Sequence, residues 1–206
     1  LAYLYPATRE TAYLQEMQRG VELILQRMMD AERGWLLESF TPDWQVKEAG
    51  SVRIDVGHNL EIVWMLLRLH LLTGDTSYRD GALERYAPLF QAAFHEATGA
   101  WRHQLQRDDP EEYTATTPWW IQAYGNMLEL YLYRATSDTV HLARFRRGAD
   151  FWNDHFIDPE YGGAYLSAGL DGSLHNGHKA VRSKTSYHSM EHGLLNYLYL
   201  NLWVEK

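Results

Sequence analysis

The sequence predicts an all-α fold of toroid type, in which amphipathic outer helices alternate with buried inner helices around a central cavity. Three observations predict it. Apolar residues recur with helical periodicity, similar segments return at a nearly constant spacing, and glycine–aromatic turns separate the helices. Self-similarity at a fixed period indicates a repeat architecture. The chain has 206 residues, of which 46% are hydrophobic, and this composition suits a packed core.

Three threonines anchor the repeat. Thr8, Thr73 and Thr136 lie 65 and 63 residues apart, and each is followed by a helix-like stretch of similar length. A glycine-rich turn then closes each unit, at 34–35, 99–101 and 162–165. The threonines therefore mark the junction between an inner helix and the outer helix that follows it.

The spacing of these repeats predicts where the helices and loops lie. The sequence predicts amphipathic outer helices with charged faces at 9–30, 76–96 and 138–156. Inner helices that are apolar nearly all round are predicted at 58–73, 118–136 and 187–204. Short hairpins or loops are predicted at 34–40, 99–106 and 162–175. No linker rich in proline, glycine or serine divides the chain, so we expect residues 1–206 to form one domain of six to seven helices.

The repeat also predicts that the toroid is incomplete. The first inner helix would begin before Leu1, so residues 1–7 are expected to be its last turns and the N-terminal part of the barrel to be missing. An open arc of helical hairpins leaves two apolar edges exposed. We therefore expect the chain to belong to a longer one, to associate with the missing half of the barrel, or to form a homodimer.

Composition excludes several classes of function. The net charge is −8 and no basic stripe is visible, which argues against nucleic-acid binding. No apolar run reaches the roughly 18 residues of a membrane-spanning helix. The chain contains no cysteine, which excludes disulfides and thiolate chemistry and suits a reducing compartment. We therefore predict a cytoplasmic protein.

The starts of the inner helices carry the candidate functional residues. His58, the pair Trp119 and Trp120, and His188 occupy equivalent positions, and in a toroid these positions converge on one mouth of the cavity. Histidine can both accept and donate a proton near neutral pH. Glu61 shares a helix face with His58 and could tune its charge or hold a sugar hydroxyl. Tryptophan supplies a flat apolar surface for a sugar ring, although one of the pair is expected to pack inward.

Two alternatives remain open at this point. A histidine at a helix start is often an ordinary polar end group. In addition, His188, Glu191 and His192 match the H-x-x-E-H pattern of inverted zinc proteases, in which two imidazoles one turn apart share a metal. No third ligand is evident nearby, so a zinc hydrolase is the weaker hypothesis and we expect no metal.

Five segments occur in a distinctive order along the chain: FTPDW (40–44), GHNLEIVWML (57–66), PWWIQA (118–123), DPEYGG (158–163) and KTSYH (184–188). As an ordered set they resemble the N-acylglucosamine 2-epimerase family, in its cellobiose 2-epimerase and mannose isomerase branches. The resemblance covers essentially the whole chain and matches the C-terminal part of an (α/α)6 barrel.

The resemblance implies epimerisation of an aldose at C2, or its isomerisation to a ketose, through a cis-enediolate and without a cofactor. It implies that His58 and His188 are the catalytic acid and base and that a sugar is the small-molecule partner. The implied sugar-binding residues are Glu61, Trp119, Trp120, Gln122, Lys184 and Tyr187.

Four positions depart from the family pattern. Tyr124 stands where a glutamate is usual, Ala164 and Ser183 where tryptophans are usual, and Glu191 where an arginine is usual. These departures, together with the missing half of the barrel, support an alternative hypothesis. In that alternative the chain is a carbohydrate-binding toroid that has kept the cleft and lost the catalysis.

Overall fold

The computed structural model describes residues 1–47, 52–111 and 113–204 and confirms the predicted helical architecture. Inner and outer helices alternate along the chain, and α5 (Trp119–Thr136) packs against α3 (Val56–Thr73) on one side and against α7 (Tyr187–Tyr199) on the other. A π-helical turn, Leu200–Val204, continues the last helix. The helices are α1 (Leu4–Thr8), α2 (Thr11–Arg27), α3 (Val56–Thr73), α4 (Thr76–Ala93), α5 (Trp119–Thr136), α6 (Val140–His155) and α7 (Tyr187–Tyr199).

Thr8, Thr73 and Thr136 end their helices in the same way. Each hydroxyl donates a hydrogen bond of 2.8–2.9 Å to the carbonyl four residues earlier. The next residue then adopts a left-handed conformation, with φ of 62°, 76° and 59° in turn. A left-handed residue at this position stops a helix. The repeat read from the sequence is thus a repeat of local hydrogen bonding, which supports the predicted junctions.

The inner helices α3 and α5 are buried as predicted, but α7 is not buried all round. Most residues of α5 from Ile121 to Leu132 are buried. In α7, one face is buried through Glu191, His192, Asn196 and Tyr199. The opposite face is exposed because no other described helix lies against it; its large side chains are Tyr187, Met190, Leu194 and Tyr197.

The outer helices are shorter than the sequence predicts. The helix expected at 9–30 covers Thr11–Arg27, because Arg9 takes the left-handed conformation and Met29 pairs with Leu36. The helix predicted at 76–96 ends at Ala93, and the helix predicted at 138–156 begins at Val140. None of the helices in the described parts of the chain is long and apolar enough to cross a membrane.

Short antiparallel strands connect helix ends to helix starts. The stretch 99–106, predicted as a hairpin or loop, holds two strands that pair with different partners rather than with each other. β3 (Ala100–Trp101) pairs with β2 (Phe94–His95) at the end of α4, and β4 (Gln104–Gln106) pairs with β1 (Arg53–Asp55), which leads into α3. β6 (Ser167–Gly169) joins β5 (Thr116–Pro118), which leads into α5, and forms with β7 (Leu174–Asn176) the hairpin predicted at 162–175. The strands are β1 (Arg53–Asp55), β2 (Phe94–His95), β3 (Ala100–Trp101), β4 (Gln104–Gln106), β5 (Thr116–Pro118), β6 (Ser167–Gly169) and β7 (Leu174–Asn176).

Candidate active site

The starts of three inner helices meet at one cleft. His58 lies in the first turn of α3, where Asp55 at the end of β1 accepts a hydrogen bond of 3.1 Å from its backbone amide. Trp120 is the second residue of α5, and His188 is the second residue of α7. The Trp120 ring centroid lies 5.2 Å from that of His58 and 5.8 Å from that of His188. The structure therefore brings together the two histidines and the tryptophan that the repeat placed in equivalent positions.

His58 is paired with Glu38, a residue that the sequence reasoning missed. Its Nδ1 contacts Glu38 Oε1, and Asp55 Oδ1 lies 3.8 Å from the same nitrogen. The hydrogen bond to Glu38 is the main reason that the pKa of His58 is raised, to about 9. From the sequence, Glu61 was one candidate for this tuning. Its charge also raises the pKa of His58, but less than the charges of Glu38 and Asp55 do.

Glu61 follows His58 by three residues on α3 and is more buried than that histidine. Burial raises the pKa of its carboxyl, while the charge of His58 opposes the shift. A carboxyl in this position can accept a hydrogen bond from a sugar hydroxyl or, when protonated, donate one. The prediction that Glu61 contacts the sugar remains compatible with this position.

His188 lies in an aromatic environment. Its ring centroid is 5.4 Å from that of Tyr124 and 4.8 Å from that of Tyr187. Burial lowers the pKa of His188, and the charge of Glu191 only partly offsets the effect. Near neutral pH, His58 is therefore an imidazolium and His188 a neutral imidazole. One group can donate a proton while the other accepts one.

Tyr124 and Glu191 form a pair beside His188. The Tyr124 hydroxyl donates a hydrogen bond of 3.0 Å to Glu191, and the Tyr3 hydroxyl donates another to the same carboxylate. Burial and the nearby carboxylates raise the pKa of Tyr124, so its phenol remains a donor. The only sequence signal for this pair was that both positions depart from the family pattern.

Gln122, a predicted sugar ligand, has its side chain in the packed interior and not in the cleft. Its side chain is fully buried, accepts a hydrogen bond of 3.0 Å from the Trp101 amide, and donates one of 2.9 Å to the Gly99 carbonyl. Gln122 therefore fixes the β3 turn against α5. The register of an inner helix directs this position away from the cavity.

Trp119 and Lys184 also belong mainly to the packed interior. Trp119 is buried in a hydrophobic cluster with Phe151 and Phe156. Lys184 is buried, donates hydrogen bonds to the Ala164 and Tyr165 carbonyls, and lies 5.5 Å from the Trp119 ring centroid. The ammonium of Lys184, a predicted sugar ligand, is thus bound to backbone carbonyls, while Trp120 is partly exposed and Tyr187 is exposed.

Two groups of side chains bear on metal binding. Ligand atoms of Glu38, Asp55 and His58 all lie within 4.8 Å of one another, an arrangement that their ion pair and helix-capping bond already explain. In the H-x-x-E-H segment, the Glu191 carboxylate accepts hydrogen bonds from two tyrosine hydroxyls. His192 is buried against Trp152, at 4.9 Å between ring centroids, and does not face the cleft with His188. The zinc-hydrolase hypothesis therefore has no support from this geometry.

The sequence matches one family profile and two named relatives. The family profile described as N-acylglucosamine 2-epimerase (GlcNAc 2-epimerase) matches residues 1–191. A D-mannose isomerase of Marinomonas mediterranea is 23% identical over 203 residues, which span 90% of this chain and 50% of the relative. An N-acylglucosamine 2-epimerase of Bos taurus is 27% identical over 172 residues, which span 78% of this chain and 36% of the relative.

A solved structure shows the same fold. The cellobiose 2-epimerase from Bacillus thermoamylovorans B4167 superposes with a TM-score of 0.80 at 20% identity, over 95% of this chain and 49% of that one. The predicted (α/α)6-barrel type is thereby confirmed. The chain spans half or less of the length of these similar proteins.

Proposed function

The chain belongs to the N-acylglucosamine 2-epimerase family, and on that premise we propose that it supplies half of the active site of a sugar 2-epimerase or aldose–ketose isomerase. One observation carries the proposal. His58 and His188 contact the same tryptophan ring, and near neutral pH the first is protonated and the second is neutral. A reaction that removes a proton from carbon and returns one needs such a base and such an acid.

The proposed reaction starts from the open-chain aldehyde and uses no cofactor. Neutral His188 takes the proton from C2, the electron pair of that bond forms the C1–C2 double bond, and the carbonyl oxygen becomes the anion of a cis-enediolate. The His58 imidazolium then donates a proton. Delivery to C2 from the opposite face gives the epimer. Delivery to C1, with transfer of the O2 hydroxyl proton to O1, gives the ketose.

The aromatic surfaces support a sugar as the substrate. Trp120 is partly exposed between the two histidines, and Tyr187 is exposed beside His188. Aromatic faces bind the apolar side of a sugar ring, and we propose that Glu61 binds a hydroxyl. The similar proteins are named for mannose, N-acylglucosamine and cellobiose, so these three sugars are the first substrates to test. We place the reaction in the cytoplasm, which the lack of cysteine favours.

The exposed face of α7 supports an assembly larger than this chain. Met190, Leu194 and Tyr197 are 68%, 59% and 65% exposed and follow one another along the helix. Exposed apolar stripes of this kind mark interaction surfaces. We propose that further helices, from a longer chain or from a second copy, cover this face and complete the ring. The native mass from analytical ultracentrifugation, compared with the mass of the denatured chain, would distinguish a dimer from a larger single chain.

A sugar-binding toroid without catalysis is the second candidate. The Tyr124–Glu191 pair favours this candidate. The Tyr124 hydroxyl holds the Glu191 carboxylate close to His188, at a position where an arginine is usual in the family. A negative charge at this position does not stabilise an enediolate. Calorimetric binding of mannose by the whole protein, with no exchange or turnover, would support this candidate.

Isotope exchange tests the enzyme hypothesis. The whole protein is incubated in heavy water with mannose, N-acetylglucosamine or cellobiose, and the sugars are analysed by NMR. We expect deuterium at C2 of the epimer, or at C1 of the ketose, and loss of exchange in His188→Gln. Full exchange in that variant would overturn the assignment of the base.

A further inference from the structure

We propose that Glu38 is the positioning residue of the site: it holds the His58 ring through Nδ1 and keeps the imidazole protonated for proton transfer through Nε2. Neither the sequence pattern nor the comparisons assign a role to this residue. Glu38 lies on the loop after α2, twenty residues before its partner, and its carboxylate contacts the Nδ1 atom.

The backbone that carries Glu38 is fixed to the start of α3. Asn59 accepts a hydrogen bond of 2.7 Å from the Leu36 amide, and its side-chain amide donates one of 2.8 Å to the Asp55 carbonyl. The Leu37 amide donates a hydrogen bond of 2.8 Å to the Met28 carbonyl at the end of α2. Asn59 is buried and directly follows His58. The residue that binds the loop backbone is therefore adjacent in sequence to the histidine that Glu38 contacts.

The contact determines which imidazole nitrogen can act. An imidazolium that donates Nδ1–H to a carboxylate presents Nε2–H at the other end of the ring. The His58 side chain is 47% exposed and its ring is tilted against Trp120, so this second nitrogen remains accessible beside the aromatic surface. Carboxylate–imidazole pairs of this kind orient the ring and stabilise its charged form.

Other ionisable groups face His58 but are less well placed. Asp55 Oδ1 is 3.8 Å from Nδ1, and the other oxygen of that carboxyl is 3.9 Å from His103 Nε2. Asp55 also caps α3 through the His58 amide, so it is shared between several partners. Glu61 acts from the same helix at longer range, and His188 across the cleft is neutral near pH 7. The α5 helix presents the uncharged Trp120.

The ion pair can be tested without turnover. In the whole protein, the His58 imidazole is titrated by NMR and assigned by its loss in His58→Gln. We expect a midpoint near 9 that falls by about one unit or more in Glu38→Gln, because a neutral amide cannot stabilise the imidazolium. Glu38→Asp keeps the charge with a shorter reach, so its midpoint should be intermediate. Glu32→Gln, an exposed position on the same loop, is the matched control and should leave the midpoint unchanged.

The catalytic consequence rests on the proposed function and is measured separately. In Glu38→Gln, the alkaline limb of the pH profile of kcat should move toward neutral pH together with the NMR midpoint, and Glu38→Asp should partly restore it. An unchanged midpoint in Glu38→Gln, or an equal fall in Glu61→Gln, would overturn the proposal. If the wild-type protein shows no turnover, the proposed function fails, while the titration still decides the role of Glu38.

Discussion

Tyr124 on α5 donates a 3.0 Å hydrogen bond to Glu191 on α7 and thereby links the two inner helices directly beside His188. Glu191 is only 9% exposed, and Tyr3 supplies its other donor from the N-terminal segment. A buried carboxylate without enough donors is costly. The phenol therefore supports both the packing of α7 and the position of its first turn.

Tyr124→Phe should destabilise the fold. Removing the hydroxyl leaves the Glu191 carboxylate with one donor fewer, and we expect a loss of about 1–3 kcal/mol in the free energy of unfolding. Urea denaturation followed by circular dichroism measures it. Tyr161→Phe is the control: Tyr161 is 78% exposed, and its change should stay within about 0.5 kcal/mol. Equal stability of Tyr124→Phe and wild type would mean that Tyr3 alone satisfies Glu191.

The pH dependence of kcat/KM should be bell-shaped. His188 must be neutral to accept a proton, and burial lowers its pKa from 6.5, so the acid limb should lie below that pH. His58 must be protonated to donate, and its ion pair with Glu38 raises its pKa, so activity should fall as pH rises through about 9. Initial rates with mannose across this range provide the test. A profile without an alkaline limb would remove His58 as the acid.

His192 should make the fold less stable in acid. Burial lowers its pKa from 6.5 to about 4, so between these values the unfolded chain binds a proton that the folded chain does not. Stability should therefore fall as pH decreases through this window, by a total on the order of 3 kcal/mol. Denaturation is compared in wild type and His192→Gln, because the difference isolates this group from the carboxylates. Identical pH curves would contradict the prediction.

Gly57→Ala should disturb the cleft. Gly57 precedes His58, and the Trp120 ring lies so close to it that an added methyl group would overlap the ring. We expect a loss of about 1–3 kcal/mol in stability and weaker sugar binding, since Trp120 must move. Gly20→Ala is the control in α2, where the methyl group meets no atom within 4 Å. That change should stabilise the protein by about 0.5–1 kcal/mol. Unaltered binding and stability in Gly57→Ala would show that Trp120 can move at no cost.

Glu129→Ala should cost more than any exposed acidic substitution. Glu129 is buried, accepts a hydrogen bond from the Tyr86 hydroxyl, and lies 2.7 Å from His141 Nδ1. Removing it leaves two buried polar groups without their partner, and we expect a loss of about 3 kcal/mol or more. Glu84→Ala is the control on α4, because the Glu84 side chain is 80% exposed. Similar denaturation midpoints for the two variants would contradict this role.

The sequence by itself determined the repeat and the parts of the site that follow from it. Helix ends at Thr8, Thr73 and Thr136 could be predicted because they depend on hydrogen bonds between residues at most four apart. Helical periodicity separated inner from outer helices, because burial on one face depends on spacing within a single segment. Equivalent positions in the repeat then placed His58 and His188 at one mouth.

Only the tertiary structure decided which side chains meet there. Glu38, not Glu61, holds His58, and Tyr124 binds Glu191. These contacts depend on how segments that are distant in the sequence pack against each other. Gln122 and Lys184 are bound to backbone carbonyls in the interior, although their motifs placed them at the sugar. Periodicity fixes the face on which a residue lies. The partner of its polar group depends on which atoms of other segments come within about 3 Å, and only the packed chain determines that.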